Sequence, residues 1–201
     1  MQARNDIAFG LLCGLVEESE GSLHPDAARY SGQMDAYRHL LDLGAIGAGD
    51  GVGSSILCPW CGMGDLEGIR FEQGGRQGYC TDCGWVDLAS DQVTRLRVDI
   101  TRIVRWLASA LGLAGRYQHE EMVPTALWRL GEIEHRRKRR TIFFGRRLSD
   151  PALTPIIEAR LRTACAPGCG VLITTTPDVA QAIQAAGHLV VPLRAVAHLR
   201  K

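Results

Sequence analysis

The chain has 201 residues, of which 46% are hydrophobic, and its formal net charge is +1 at pH 7. This is enough apolar sequence to bury the core of one large domain or of two to three small ones. The small net charge excludes a protein that binds polyanions over its whole surface. The cysteine count of seven is odd, which argues against a secreted disulfide framework.

The first predicted element is an amphipathic helix over residues 3–18, where apolar residues recur at steps of three and four. Gly10 and Gly14 interrupt the apolar run, and acidic residues flank it, so the segment does not have the composition of a signal peptide. No apolar run approaches the roughly 20 residues that span a bilayer. We therefore expect a cytoplasmic protein with no membrane partner.

The next segment is predicted to contain a short helix from Pro25, a helix over 31–43 and two short strands over 45–59. Three helices followed by a β-hairpin is the element order of a winged helix-turn-helix, which residues 1–55 resemble. Residues 1–60 carry eight acidic and three basic residues, and therefore a net charge of −5. Because carboxylates on a recognition helix would be repelled by phosphates, we consider a protein partner for this acidic module at least as favourable as DNA.

Two Cys-x-x-Cys pairs, each followed by glycine, lie in "LCPWCGMGDL" (57–66) and "GYCTDCGWVD" (78–87). Four thiolates are a ligand set that zinc takes in structural sites, and glycine after each pair permits a tight turn around the metal. A Gly-Gly hairpin signal lies between the pairs. Residues 56–88 thus resemble a zinc ribbon, a fold frequent in proteins that handle DNA or RNA. We predict one structural zinc ion with four ligands and no open position: Cys58, Cys61, Cys80 and Cys83.

A redox dithiol and an iron–sulfur site are the alternatives to zinc. A redox Cys-x-x-Cys normally opens a helix of a thioredoxin-like unit, which these glycine-followed pairs do not resemble. Iron also accepts four sulfur ligands, but we favour zinc. The aromatic residues of the ribbon are expected to pack in its thin core or on the next helix rather than to stack on bases. They are Trp60, Phe71, Tyr79 and Trp85.

Residues 91–115 are predicted to form a connecting amphipathic helix with an apolar stripe on one side. A β-hairpin over 125–146, a helix from Pro151, and strands over 170–176 and 188–193 on either side of a further helix follow. This alternation predicts a small parallel sheet. The expected fold class is mixed α+β with several modules. Their predicted bounds are 1–55 (winged-helix-like), 56–90 (zinc ribbon), 91–115 (connecting helix) and 116–201 (basic hairpin with a small α/β module).

Positive charge is concentrated at residues 116–147, which carry four acidic and nine basic residues and thus a net charge of +5. Five consecutive cations stand near the tip of the predicted hairpin and repel one another, which a bound polyanion would relieve. A solvated surface or a protein-docking surface is the alternative. The predicted nucleic-acid contacts, with DNA favoured over RNA, are Arg136, Arg137, Lys138, Arg139, Arg140, Arg146 and Arg147.

No catalytic pattern is apparent in the sequence. The C-terminal strands carry no clustered carboxylates for Mg²⁺, and neither a Ser-His-Asp arrangement nor an HExxH motif is present. Thr174–Thr176 follow a strand where an anion would bind, although capping of the next helix by Thr176 also accounts for them. Cys165 and Cys169 would hold a second metal with His188, or else be buried thiols.

The sequence therefore predicts a non-enzymatic, zinc-stabilised protein that binds nucleic acid through its basic hairpin. A protein–protein adaptor, or an accessory subunit in which the ribbon is a structural spacer, is the second hypothesis. A nucleotide sensor at Thr174–Thr176 is the third.

Overall fold

The computed structural model describes residues 2–18, 22–23, 33–52, 56–72, 75–89, 94–113, 119–135, 137–184, 186–197 and 199. The chain divides into two units, one formed by Glu20–Val98 and the other by Met1–Ser19 together with Asp99–Lys201. This division differs from the module bounds expected from the sequence, because the first helix belongs with the C-terminal part of the chain.

The described residues form a mixed α+β fold, as the sequence predicts. The helices are α1 (Gln2–Glu17), α2 (Met34–Asp42), α3 (Ile100–Ala110), α4 (Thr154–Ala164), α5 (Gln181–Gln184) and α6 (Leu193–Val196). The strands are β1 (Ser22–Leu23), β2 (Ile46–Val52), β3 (Glu67–Glu72), β4 (Gly75–Cys80), β5 (Gly84–Leu88), β6 (Thr94–Val98), β7 (Glu120–Val123), β8 (Leu127–His135), β9 (Lys138–Gly145), β10 (Gly170–Thr174) and β11 (Leu189–Pro192). Within the described part of the chain, no helix combines the length and apolar character needed to cross a membrane.

The larger unit is built on a five-stranded sheet of order β11-β10-β9-β8-β7. Strands β9, β10 and β11 run parallel, which confirms the predicted parallel pairing, and β8 and β7 continue the sheet in antiparallel fashion. Residues 141–145 of β9 are buried throughout. Uninterrupted burial is typical of a central strand that is covered on both faces.

The core of this unit joins the sheet to α4 and α5. Its fully buried members include Leu127, Phe143, Ile157, Leu161, Leu172 and Ile183. The helix predicted from Pro151 begins three residues later, because Asp150 caps a turn there by accepting from the Ala152 N–H at 2.9 Å. The long helix predicted after residue 177 is reduced to the four residues of α5.

The smaller unit contains two three-stranded sheets, of orders β1-β6-β2 and β3-β4-β5. The predicted helix over 91–115 is wrong at its start, because residues 94–98 form β6 and the helix begins at Ile100. Partly buried Leu96 and Val98 alternate with exposed Arg97, and this period of two belongs to a strand.

The glycine-rich stretch before the ribbon also differs from its prediction. Instead of pairing with a neighbouring strand within 45–59, β2 pairs with β6, and Ile46 lies opposite Val98. The β3-β4-β5 sheet is thus inserted between two strands that pair with each other. The predicted helix at 31–43 is confirmed as α2, whereas the helix predicted from Pro25 lies outside the described residues.

Candidate metal centre and cationic hairpin

The four ribbon cysteines come together at one end of the β3-β4-β5 sheet. Cys58 and Cys61 precede β3, Cys80 ends β4, and Cys83 lies in the turn before β5. Their Sγ atoms all lie within 4.8 Å of one another, and those of Cys61 and Cys80 are 3.7 Å apart. A tetrahedron with metal–sulfur bonds of about 2.3 Å has sulfur–sulfur edges of about 3.8 Å. The four thiols therefore fit one bound metal ion.

The local backbone explains how the sequence brings each pair into place. Gly62 and Gly84 adopt φ values of +68° and +77°, in the left-handed region that favours glycine. The Gly62 N–H donates to the Cys58 carbonyl at 2.8 Å, and the Cys58 N–H donates to the Gly64 carbonyl at 2.9 Å. These bonds close the first cysteine loop on itself. The tight turns predicted from the glycine positions are present.

The pKa values of two of the four thiols are shifted in opposite directions. Burial, hydrogen bonds that the Cys83 thiol makes to the neighbouring sulfurs and the negative charge of Cys58 raise the pKa of Cys83 from 9.0 to about 12. Burial also disfavours ionisation of Cys58, but hydrogen bonds from the N–H groups of Cys61 and Trp60 and from the Cys61 and Cys80 thiols together offset it and lower the pKa of Cys58 to about 7. One thiolate forms readily, while a further negative charge beside it needs a cation for compensation.

The hydrophobic core of the ribbon is small and includes candidate metal ligands. The buried residues of its cluster are Ile56, Cys58, Leu66, Cys80, Val86 and Leu88. Two of these six are metal-ligand candidates, so removal of a metal would open the centre of the cluster. A module of this size depends on a cross-link or a metal for its stability.

Three aromatic side chains of the ribbon that the structure describes lie outside its core, which corrects the first half of the expectation that they pack in the core or on the next helix. Trp60, Tyr79 and Trp85 are 70%, 39% and 45% exposed. The Arg70 guanidinium lies 3.6 Å from the centroid of the Trp85 ring, and Tyr79 meets the same ring edge-on at 5.4 Å. Small aliphatic residues and cysteines already fill the core, so the larger rings lie on the outer face. The Phe71 side chain lies outside the described residues.

The predicted basic hairpin is present as β8 and β9, which pair along their full length. Glu134 lies opposite Arg139, so one carboxylate stands among the cations. Arg136 lies outside the described residues. The other cations of the tip are exposed, except that the last is partly buried: Arg137, Lys138, Arg139 and Arg140.

Arg146 and Arg147 do not join this group, because they follow the opposite end of β9. Arg146 is 2% exposed, and its Nη2 donates to the Glu18 carbonyl at 2.6 Å. Arg147 forms an ion pair with Asp150. Their predicted role in nucleic-acid contact differs from these observed contacts, which hold α1 and the turn before α4 in place.

A polar cluster that the sequence does not reveal lies at the carboxyl end of β10. The Thr176 hydroxyl was expected to cap a helix; it accepts from the Leu148 N–H at 3.1 Å and donates to the Glu17 carboxylate at 2.9 Å. The Thr175 hydroxyl donates to the same carboxylate, and so does the Arg147 N–H, at 2.8 Å. No local pattern identifies Glu17, because its partners follow 130 or more residues later.

The second metal site considered for Cys165, Cys169 and His188 has no support. Among the described residues, the ribbon cysteines are the only Cys, His, Asp or Glu side chains that gather as three or more potential metal ligands. His188 is buried, with its Nε2 atom 3.1 Å from the Leu161 carbonyl oxygen, and it packs near Phe143. It therefore belongs to the core.

Comparison of the chain with protein-family models, with curated proteins and with solved structures finds no match. The functional interpretation rests on the geometry of these residues, chiefly on the four-cysteine cluster and the cationic hairpin.

Proposed function

We propose that the protein is a non-enzymatic DNA-binding protein whose ribbon is stabilised by one structural zinc ion. In this proposal the β8–β9 hairpin makes the phosphate contacts. The supporting observation is the group of exposed cations Arg137, Lys138 and Arg139 at the end of a fully paired hairpin. The rest of β9 is buried in the sheet, so the cations are carried by a firmly anchored element.

The shape of the hairpin suits duplex DNA. A two-stranded β-ribbon fits into the major groove, and arginine and lysine at its tip would lie near the phosphates. Residues 134–140 carry five cations and one carboxylate, and therefore a net charge of +4. Such contacts supply affinity that does not depend on base sequence. Arg140 is half-buried and would approach a phosphate only from the side of the hairpin.

Zinc is the proposed metal because four cysteine thiolates are a donor set of structural zinc sites. They complete a tetrahedron, so no position remains for a reacting water. When bound, zinc would supply charge compensation and cross-linking rather than catalysis. We also propose a cytoplasmic location, since none of the seven cysteines, all of which are described, forms a disulfide, as suits a reducing compartment.

We also propose a winged-helix-like arrangement for the smaller unit, without α1, the first helix of the predicted module, which belongs to the other unit. The helix α2 is followed by the antiparallel pair of β2 and β6, and β1 pairs with the other edge of β6. In this proposal β2 and β6 are the wing, and the ribbon is an insertion in that wing. On α2, the Nη1 atom of Arg38 lies 3.9 Å from the Oδ1 atom of Asp35. A binding partner of this helix would therefore meet a face of mixed charge.

The binding test uses fluorescently labelled single- and double-stranded DNA and RNA of equal length. The zinc-loaded protein is expected to change the anisotropy of duplex DNA at low salt, to bind RNA more weakly, and to release both on addition of heparin. Absence of binding to all four polymers at low salt, by protein that retains its zinc, would exclude the proposal.

An adaptor is the second candidate function, and one observation favours it. Trp60 and Met63 of the first cysteine loop are 70% and 83% exposed. Exposed large apolar side chains at one place commonly mark a protein-interaction site. In this alternative the metal shapes the docking loop, and the cations of the hairpin meet an acidic protein. Binding of the partner would then depend on Trp60 and would resist heparin.

A further inference from the structure

Two adjoining cavities open at the carboxyl end of the parallel strands in the larger unit. One, of about 330 Å³, is lined by the ends of β10 and β11, by Thr175 after β10, by Arg194 of α6 and by α1 residues. The other, of about 360 Å³, is lined by Arg147 and Asp150 among others. Open parallel sheets bind their ligands at this end of the strands. The volumes fall in the lower part of the range for small-molecule sites.

The carboxylate of Glu17 lies between the two cavities and lines both. It accepts hydrogen bonds from the hydroxyls of Thr175 and Thr176 and from the Arg147 N–H, which is 2.8 Å away. Thr176 is buried, and its hydroxyl is fixed by the Leu148 N–H at 3.1 Å. Three converging donors on one anionic group are the arrangement by which proteins hold a bound anion.

The surrounding charges also favour an anion. Arg146 is almost fully buried beside the end of α1, where its guanidinium donates to the Glu18 carbonyl. Arg194 lines the first cavity and donates to the Gly10 carbonyl at 3.3 Å. With Arg147, three cations stand at this edge. Against them stand Glu17 and Asp150, and Asp150 is already paired with Arg147. Withdrawal of Glu17 would leave the edge positive.

We propose that this edge is an anion-binding site which Glu17 occupies as an internal ligand, and that its exchangeable ligand is a small molecule carrying a phosphate group. The phosphate would take the position of the Glu17 carboxylate, with Thr175 and Thr176 as hydroxyl donors and Arg194 near the entrance. Binding requires the last turn of α1 to withdraw. The apparent affinity of the wild-type protein is therefore the intrinsic affinity multiplied by the fraction of molecules in which Glu17 has left the site. The site is independent of the nucleic-acid hairpin, whose tip lies at the other end of β9.

The test is isothermal titration calorimetry on the full-length, zinc-loaded chain with three probes: inorganic phosphate, a nucleoside monophosphate and a pentose phosphate. Glu17→Ala is expected to bind at least one probe about tenfold more tightly than the wild type, because the internal competitor is gone. Addition of Thr175→Val and Thr176→Val should abolish that gain. Glu18→Ala, at the residue that follows α1, should behave as the wild type. Binding of all three probes would identify the phosphate itself as the ligand group, and preference for one would identify the attached moiety.

Glu17→Gln is the second variant, since it removes the charge but keeps a side-chain oxygen that accepts from the threonine hydroxyls. It guards against a folding defect in the alanine variant, and far-ultraviolet circular dichroism checks both. The proposal is overturned if the folded variants bind none of the three probes more tightly than the wild type. The edge of the sheet would then serve only as the surface against which α1 packs.

Discussion

The carboxylate of Glu17 accepts a hydrogen bond from the hydroxyl of Thr176 at 2.9 Å, although 159 residues separate them in the sequence. The bond joins the last turn of α1 to the end of β10. Together with the contacts of Arg146 and Arg147 to the same turn, it makes the first helix part of the C-terminal unit. The N-terminal helix therefore contributes to the stability of the C-terminal unit.

Truncation of Glu17 should destabilise this unit. Glu17→Ala removes the acceptor of three hydrogen bonds and leaves the Arg147 N–H and two hydroxyls to find other partners. Bonds to charged groups contribute about 1.5–3 kcal/mol net each, and water that enters the adjoining cavities would replace part of the three lost acceptors, so a loss of at least about 2 kcal/mol is expected. Urea unfolding followed by circular dichroism measures it. Glu18→Ala, whose side chain is exposed, is the matched control and should change the free energy of unfolding by less than about 0.5 kcal/mol.

Replacement of Cys80 should abolish metal binding and unfold the ribbon. Cys80 is fully buried in the ribbon cluster, so Cys80→Ser removes a sulfur ligand and leaves a buried hydroxyl. Elemental analysis is expected to give one zinc per wild-type chain and much less than one for the variant. Cobalt substitution should give the visible absorption of tetrahedral Co²⁺ with thiolate ligands in the wild type only.

Cys165→Ser is the control for that experiment, since Cys165 lies in the other unit. It should retain one zinc per chain. Full zinc occupancy in Cys80→Ser, or loss of zinc in Cys165→Ser, would contradict the assignment of the four ligands.

The carboxyl group of Asp150, in the turn before α4, should make the free energy of unfolding dependent on pH. A hydrogen bond from the Ala152 N–H and the ion pair with Arg147 lower its pKa below the ordinary 3.8, although its partial burial opposes this. A carboxyl group whose pKa is lower in the folded state stabilises the protein above the unfolded pKa, and this contribution is lost as the pH falls through the folded value. Asp150→Asn should therefore lower Tm at pH 7 and have a smaller effect near pH 3. An equal Tm difference at both pH values would contradict this.

Gly131 in β8 should tolerate no side chain. Its φ is +145°, and a Cβ atom there would lie 3.3 Å from Cδ2 of Leu113, which follows α3. Gly131→Ala is expected to cost about 1–3 kcal/mol through backbone strain. Gly14→Ala is the comparison, because a Cβ at that helical position meets no neighbouring atom. Thermal unfolding of the two variants should show a lower Tm for Gly131→Ala only.

The elements that local patterns determine could be predicted from the sequence. The apolar spacing of residues 3–18 gives α1, and the two glycine-followed Cys pairs give the cysteine cluster. The strand β6 was missed because Leu96, one of its apolar residues, also fits the helical stripe that continues into α3. The pairing of β2 with β6 was missed because it spans the whole ribbon, and no local signal encodes such a distant partner.

The polar contacts of the site were predictable only where neighbours in sequence make them. The hairpin cations are consecutive in sequence, at the turn and at the start of β9, so their proximity follows from the sequence alone. The burial of Arg146 depends on the carbonyl of Glu18, and the role of Thr176 depends on Glu17. The exposure of Trp60 depends on how little volume the ribbon core leaves, which the sequence does not show.

The salt dependence of DNA binding tests the central claim most directly. Wild-type protein is compared with a hairpin variant, Arg137→Ala with Lys138→Ala and Arg139→Ala, on one labelled DNA duplex over a series of salt concentrations. The control carries three alanines at exposed cations of α3 and α4: Arg105, Arg160 and Arg162. Loss of three phosphate contacts should flatten the slope of log affinity against log salt by roughly two to three units in the hairpin variant, and the control should keep the wild-type slope. Equal slopes for the wild type and the hairpin variant would contradict the assignment of DNA binding to the hairpin.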